Sequence, residues 1–393
     1  MQAYLINVDA TGNHNKFYKM EETGNGFFTA TYGRVGAKGV TRTYPISAWN
    51  RKYQEKIKKG YVDKTGLKHV STVSPSVNGG YAAIKDPIVA RFMDDILQYA
   101  NKSLKKSYRI DSDKVTEAMV REARSILHSL SQCTRQTDFN DGLLALFATI
   151  PRRMHNVEDY LISDIGKKEE VLDREHELLD QMAAKVQYHA GSHQDNEKTI
   201  LEAEGMTVDP VINPTRLKQI RSHLGEMESA FYQAFRVRNK KLDEKFHEVM
   251  EKKGYTEKDI HYLYHGSRNQ NWYSIMTNGL LLHPNAIRTA SMFGNGLYFA
   301  NKARKSAGYT SLRGYSSWAK GREKQAFLAV YKVLYNNPKH IKDWERGYNK
   351  LNNTRIQPND ALFAHAGGSL CNDEIVVYEE NQMTLQYIIE LRV

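Results

Sequence analysis

The sequence predicts an α+β multidomain protein: a small basic antiparallel sheet, then an all-α helical bundle, then a mostly antiparallel α+β domain. Three observations predict it. Apolar and polar residues alternate in short runs near the N-terminus. Between 86 and 190 apolar residues recur at helical spacing. Beyond the helix signal at Pro214–Leu224, strand patterns return. A length of 393 residues suggests two or three domains, and the boundaries fall at 1–75, 84–190 and 196–393.

In the first part Tyr4, Ile6 and Val8 alternate, followed by Phe17 and Tyr18 and by the run Phe27–Tyr32. Clusters of Gly, Asn and Thr separate these strands. A charged helix is expected from Ser47 to about Lys59, and His69 to Gly80, rich in Ser, Val and Gly, reads as a linker. Residues 1–75 hold 12 Lys and Arg against 5 Asp and Glu, the densest positive charge in a chain of net charge +11. Such a surface favours a polyanion, most often nucleic acid, although solubility alone also explains it.

The second part opens at Asp86-Pro87, a capping acid before a proline at the first helical position. Ile88, Val89, Phe92, Met93 and Ile96 form one apolar stripe. Val115, Met119, Ala123, Ile126, Leu127 and Leu130 form a second, Leu143–Ile150 a third, and Val171, Leu172, Leu178, Leu179, Met182 and Val186 a fourth. Four such stripes bury one another as a bundle. Nothing in it has a catalytic pattern. Tyr188 to Lys198 is polar and reads as a second linker.

In the third part Ala326–Tyr335 is a buried type of strand, Ile375–Tyr378 is short and β-branched, and Met383–Arg392 alternates as a half-buried strand. No apolar run approaches the ~20 residues that span a bilayer, and no signal peptide is visible at the N-terminus. Cys133 and Cys371 supply neither a disulfide framework nor a zinc site. A reduced, intracellular setting with no membrane partner is expected.

Three runs carry the chemistry: His265-Gly266-Ser267, Gly296–Ala300 and Asn372–Tyr378. Singly, each has a commonplace reading. A His before Gly is often a turn residue, Tyr298 could be core, and Glu374 could be a solvated strand end. In order and spacing, however, His265-Gly266-Ser267-Arg268, the run Met292–Ala300, Lys305-Ser306-Ala307-x-Tyr309, the strand from Glu374 to Tyr378 and Gln382-Met383-x-Leu385-x-Tyr387 resemble the poly(ADP-ribose) polymerase family across the whole of 196–393.

That resemblance implies NAD⁺ as substrate and transfer of ADP-ribose, with His265, Tyr298 and Glu374 as the catalytic trio. Gly266 and Ser306 would hold the nicotinamide carboxamide. Tyr309 would stack on the ring, with Tyr298 walling the other side. His265 would bind a ribose 2′-hydroxyl, and Ser267 would face the adenosine. Glu374 would bind the nicotinamide ribose and activate an acceptor hydroxyl, a feature of the chain-building members, and Lys305 would sit near the acceptor. A neutral leaving group needs no metal. The chemistry itself asks for such a carboxylate, because the transition state resembles an oxocarbenium ion. The family's arginine near the adenine has no counterpart after Asn278-Gly279, where Leu280-Leu281-Leu282 stand and Arg288 lies further on.

Tyr32-Gly33-Arg34, with Lys38 and Arg42 close by, resembles the same family's Trp-Gly-Arg (WGR) domain, tyrosine replacing tryptophan; Trp49, Arg51 and Lys52 are in keeping. An arginine there can grip phosphate bidentately, and Tyr32 can stack on a base or sugar. The bundle resembles the family's regulatory helical domain, which shields the NAD⁺ site until DNA loosens it. The expected protein is a DNA-break-dependent polymerase of ADP-ribose, modifying proteins and itself in the DNA damage response. It would work in the nucleus of a eukaryote or in the cytosol or nucleoid of a bacterium. Mono-ADP-ribosylation, an inactive nucleic-acid scaffold and an RNA-modifying transferase are the competing readings.

Overall fold

The computed structural model describes the chain except for residues 69–80, 109–114, 193–196 and 283–291. The linker expected at His69–Gly80 and the side chain of Arg288 lie outside the described residues. The chain divides into two compact units, residues 1–77 with 102–189 and residues 78–101 with 190–393.

In the first unit β1 (Gln2–Asp9), β2 (His14–Gly24), β3 (Phe27–Arg34), β4 (Val40–Pro45) and β5 (Val62–Asp63) form a sheet of order β4-β3-β2-β1-β5, antiparallel throughout. Alternation puts Leu5, Tyr18, Met20, Phe28 and Ala30 on one face. Helix α1 (Trp49–Lys58) covers that face, Trp49 meeting Phe28 edge-on at 5.0 Å.

The short α2 (Thr65–Lys68) follows, and then α3 (Pro87–Ser107), whose residues to 101 belong to the other unit. Asp86 caps α3 as expected, its Oδ1 accepting from the amides of Ile88 and Val89. Helices α4 (Glu117–Gln132), α5 (Gln136–Thr149) and α6 (Lys168–Ser192) bury Met119, Leu127, Phe139, Leu143, Leu172 and Met182 in one core. Inside it Arg152 and Glu175 form a fully buried, bidentate ion pair. Three sequence expectations change. The first of the four stripes does not join this core, because Phe92 of α3 packs instead with Phe235 and Phe327 of the second unit. Ile88 is exposed and lies off the apolar stripe. The linker expected from Tyr188 is helical up to Ser192, because no proline interrupts residues 168–192 and Lys185 packs on the Tyr188 ring one turn away.

The second unit begins with α7 (Ile200–Ala203), β6 (Met206–Pro210), α8 (Pro214–Leu224), β7 (Phe231–Asn239), α9 (Lys240–Lys253) and β8 (Ile260–Gly266). It continues through α10 (Trp272–Asn278), β9 (Leu297–Phe299), α11 (Ala303–Ala307), β10 (Gln325–Leu334), β11 (Pro338–Ile341), β12 (Ala361–Ala364), β13 (Glu374–Val377) and β14 (Met383–Arg392). Two sheets result, β6-β7-β14-β10-β8 and β11-β12-β13-β9, with β11–β12 the parallel pair.

Strand β14 corrects its half-buried reading: it is central and covered on both faces. On one face Phe92 of α3 stacks on Phe235 at 4.1 Å and meets Phe327 edge-on. On the other, Ile220 and Leu224 of α8 pack with Ala303 and Ala307 of α11. Its polar residues are matched rather than solvated. Thr384 donates to Asp243 at 2.6 Å, and Glu390, with no exposure, accepts from Arg91, Gln325 and Arg392.

Tyr264 belongs to the second apolar layer, and its hydroxyl donates to the carbonyl of His223. Burial pushes that hydroxyl from its ordinary 10.0 up to about 12. Its contribution to stability is therefore whole below pH 10 and is lost as pH rises towards 12, because the unfolded chain then holds fewer protons than the native one. The loss from this group is at most about 1.4 kcal/mol per pH unit. Urea midpoints at pH 9 and pH 11 should differ less in Tyr264→Phe than in wild type; an equal difference refutes this.

Candidate active site and nucleic-acid face

The two sheets of the second unit meet where Tyr264 and Ala300 exchange backbone hydrogen bonds of 2.8 and 3.0 Å. This junction brings His265, at the end of β8, beside β9. His265 Nδ1 lies 3.0 Å from the carbonyl oxygen of Tyr298. A carbonyl only accepts, so Nδ1 carries a proton and donates it to Tyr298. The ring packs against Phe299 and edge-on to the buried Tyr331.

Gly266 follows, and its lack of a side chain is compulsory: a Cβ there would stand 1.8 Å from the carbonyl oxygen of Ser306. Ser306, buried on α11, donates its hydroxyl to the carbonyl of Tyr264 at 3.0 Å. The lone pairs of that hydroxyl are then suited to accept from an amide. We expect Gly266→Ala to lose about 1–3 kcal/mol of stability through overpacking. Urea denaturation checks it, and a wild-type midpoint would refute it.

Glu374 opens β13 and is 6% exposed. Its Oε1 lies 3.1 Å from Lys305 Nζ, on the helix that also presents Ser306. Tyr309 completes this cluster: its hydroxyl is pushed up to about 12, first by burial and then by the charge of Glu374. Tyr298 lies across from Val376 of β13. Its hydroxyl is tied back to its own turn, donating to Gly294 at 2.8 Å and accepting from the Phe293 amide. Ser267 accepts from Asn271 at 3.0 Å.

The expected residues thus come together in three contacts, His265 with Tyr298, Gly266 with Ser306 and Lys305 with Glu374, and the charge of Glu374 is felt at Tyr309. Chemically, a shielded carboxylate next to a cation and an aromatic wall can stabilise a developing positive charge and accept a proton from an incoming hydroxyl. Two contributors escaped the sequence reading. Asp373 accepts from Asn301 Nδ2 and from the Ala366 amide, both at 2.8 Å, and so pins the start of β13. Trp318, 64% exposed, lies nearly parallel to Tyr309 at 6.4 Å, its amide bonded to Gly308. A lone tryptophan in a loop of Ser, Gly and Lys was the signal available for it.

In the first unit Tyr32, Gly33 and Arg34 end β3. Tyr32 stacks on Tyr18 at 5.6 Å beneath Lys56. Gly33 lets the turn approach, a Cβ there lying 3.3 Å from Gly39. Arg34 is committed to protein acceptors: Asn13, and the carbonyls of Met154 (3.2 Å) and His155 (2.6 Å). Lys38 and Arg42 are exposed and have no ion pair among the described residues.

The second unit is a two-sheet α+β domain with this cluster at the junction of its sheets, and comparison with known proteins says what it is similar to. Residues 215–343 match the poly(ADP-ribose) polymerase catalytic domain, and residues 1–68 match the WGR domain. The chain is similar to the poly(ADP-ribose) polymerase family in both of these domains. It is 27% identical to the uncharacterized protein 101L of Invertebrate iridescent virus 6 over 47% of this chain and 79% of that one. It is 29% identical to human poly [ADP-ribose] polymerase 2 over 36% of this chain and 28% of that protein. Poly [ADP-ribose] polymerase 2-B of Oryza sativa subsp. japonica is 21% identical over 99% of this chain and 71% of its own length.

Proposed function

We propose that this protein transfers ADP-ribose from NAD⁺ to proteins, itself included, that it extends the product into polymer, and that DNA strand breaks switch it on. In this reading residues 1–75 engage the break, 84–190 regulate and 196–393 catalyse. The observation that carries it is the shielded Glu374 held against Lys305 beside Tyr309. His265, Gly266 and Ser306 orient NAD⁺, Ser267 faces its adenosine, Tyr298 and Tyr309 flank the nicotinamide, and Glu374 serves the bond to be broken and the acceptor. Lys38 and Arg42 meet backbone phosphates, while Tyr32 and Gly33 shape the surface and Arg34 braces it. The poly [ADP-ribose] polymerase names of the human and rice relatives support the polymer-forming reading.

The test is NAD⁺ consumption by the full chain with and without nicked duplex, with product length read on a gel. We expect nicked DNA to stimulate turnover at least about tenfold, with binding that weakens steeply as salt rises. No turnover in either condition removes the transferase reading. Equal turnover removes the switch, and single-unit products remove the polymer.

A further inference from the structure

A hollow lies away from the Glu374 cluster and shares no residue with it. It is about 540 Å³ and is bounded by the edge of β6, β7 and β14 on one side and by α8 on the other, a volume within the range of small-molecule sites. Two arginines line it, Arg216 from α8 and Arg236 from β7. Neither has an ion-pair partner among the described residues. Their neighbour Arg238, in contrast, is engaged by Asp209 at 3.6 Å and Thr207 at 3.2 Å. The ladder fixes Arg236 in place, between Asp209 on β6 and Tyr387 on β14.

We propose that this hollow binds a nucleoside diphosphate group. Each planar guanidinium matches two oxygens of one phosphate, so a pair of them suits a diphosphate better than a single anion. The Tyr387 ring and the exposed Ile212 supply apolar surface for a base. The Asp209 carboxylate can accept from sugar hydroxyls, and the Gln219 amide can pair with a base edge. The choice of ADP-ribose as the ligand rests on the transferase reading, in which ADP-ribosyl groups are donor and product; the chemistry of the hollow does not.

Isothermal titration of the full chain with ADP-ribose tests it. Two equivalents are expected, one displaced by NAD⁺ and one not. Arg216→Ala/Arg236→Ala should weaken the second by about tenfold or more while leaving NAD⁺ turnover and the circular dichroism melt unchanged. Arg216→Glu alone, on an exposed helix face, reports the same loss if the double variant does not fold. A single equivalent in wild type, or a second one indifferent to these substitutions, overturns the proposal. So does inorganic phosphate binding as tightly as ADP-ribose, or single-stranded DNA displacing ADP-ribose from the second site at lower concentration. A chain without NAD⁺ turnover that still shows the arginine-dependent equivalent would defeat the transferase reading alone.

Discussion

Glu374→Gln should lower kcat for NAD⁺ by about a hundredfold or more, while KM changes far less. The substitution keeps the shape of the side chain and its place at the head of β13, where Ala364 pairs with it and Asp373 pins the preceding turn. In the proposed mechanism it removes the charge that answers a developing oxocarbenium ion and the acceptor for the proton of an incoming hydroxyl. An interaction that matters chiefly in the transition state appears in kcat. Lys305, 3.1 Å away in the native site, loses its ionic partner, so some loss of stability accompanies the kinetic effect. Steady-state kinetics with and without nicked DNA decide the matter, and turnover within a few-fold of wild type would remove Glu374 from the mechanism.

The second large effect concerns stability. Glu175→Ala should destabilise the first unit by about 3–5 kcal/mol, because it strands the Arg152 guanidinium in the core. Arg152 is 3% exposed and Glu175 1%. The guanidinium lies between the rings of Tyr108 and Phe147, and the Arg152 carbonyl accepts from Asn15 at 3.0 Å. A loss of that size is a large share of the ~5–15 kcal/mol that holds a typical domain together. Replacing both partners, Arg152→Met with Glu175→Leu, should cost far less, since neither charge is then left unpaired. Urea denaturation followed by circular dichroism separates the two variants. Equal destabilisation would mean that the cavity, not the charge, dominates.

The parts of the fold visible in the sequence were those fixed by neighbours in the chain. Asp86-Pro87 announced the start of α3, the helix signal at Pro214–Leu224 matched α8, and the stripes of α4 and α6 followed the helical period. The errors arose where distant residues decide burial. Thr384, Gln386 and Glu390 look like a solvent face until Asp243 and Arg91 arrive from far along the chain. For the same reason Arg152 and Glu175 carry no mark of burial in sequence. At the candidate site the residue types were legible from the motifs, but their partners were not. Nothing in the spacing says that His265 rests on the carbonyl of Tyr298, that Glu374 meets Lys305, or that Arg34 is spent on the carbonyls of Met154 and His155.

The cover supplied by α3 to the central strand has a practical consequence for dissecting this protein. A fragment begun at residue 197 would leave Phe235 and Phe327 bare and Glu390 without Arg91. It would be prone to aggregate for reasons unrelated to catalysis. The compact unit that keeps these contacts is discontinuous in sequence, residues 78–101 together with 190–393. A gene fusion that splices those two stretches is therefore the sound way to obtain the sheet in isolation, and truncation at an apparent domain boundary is not.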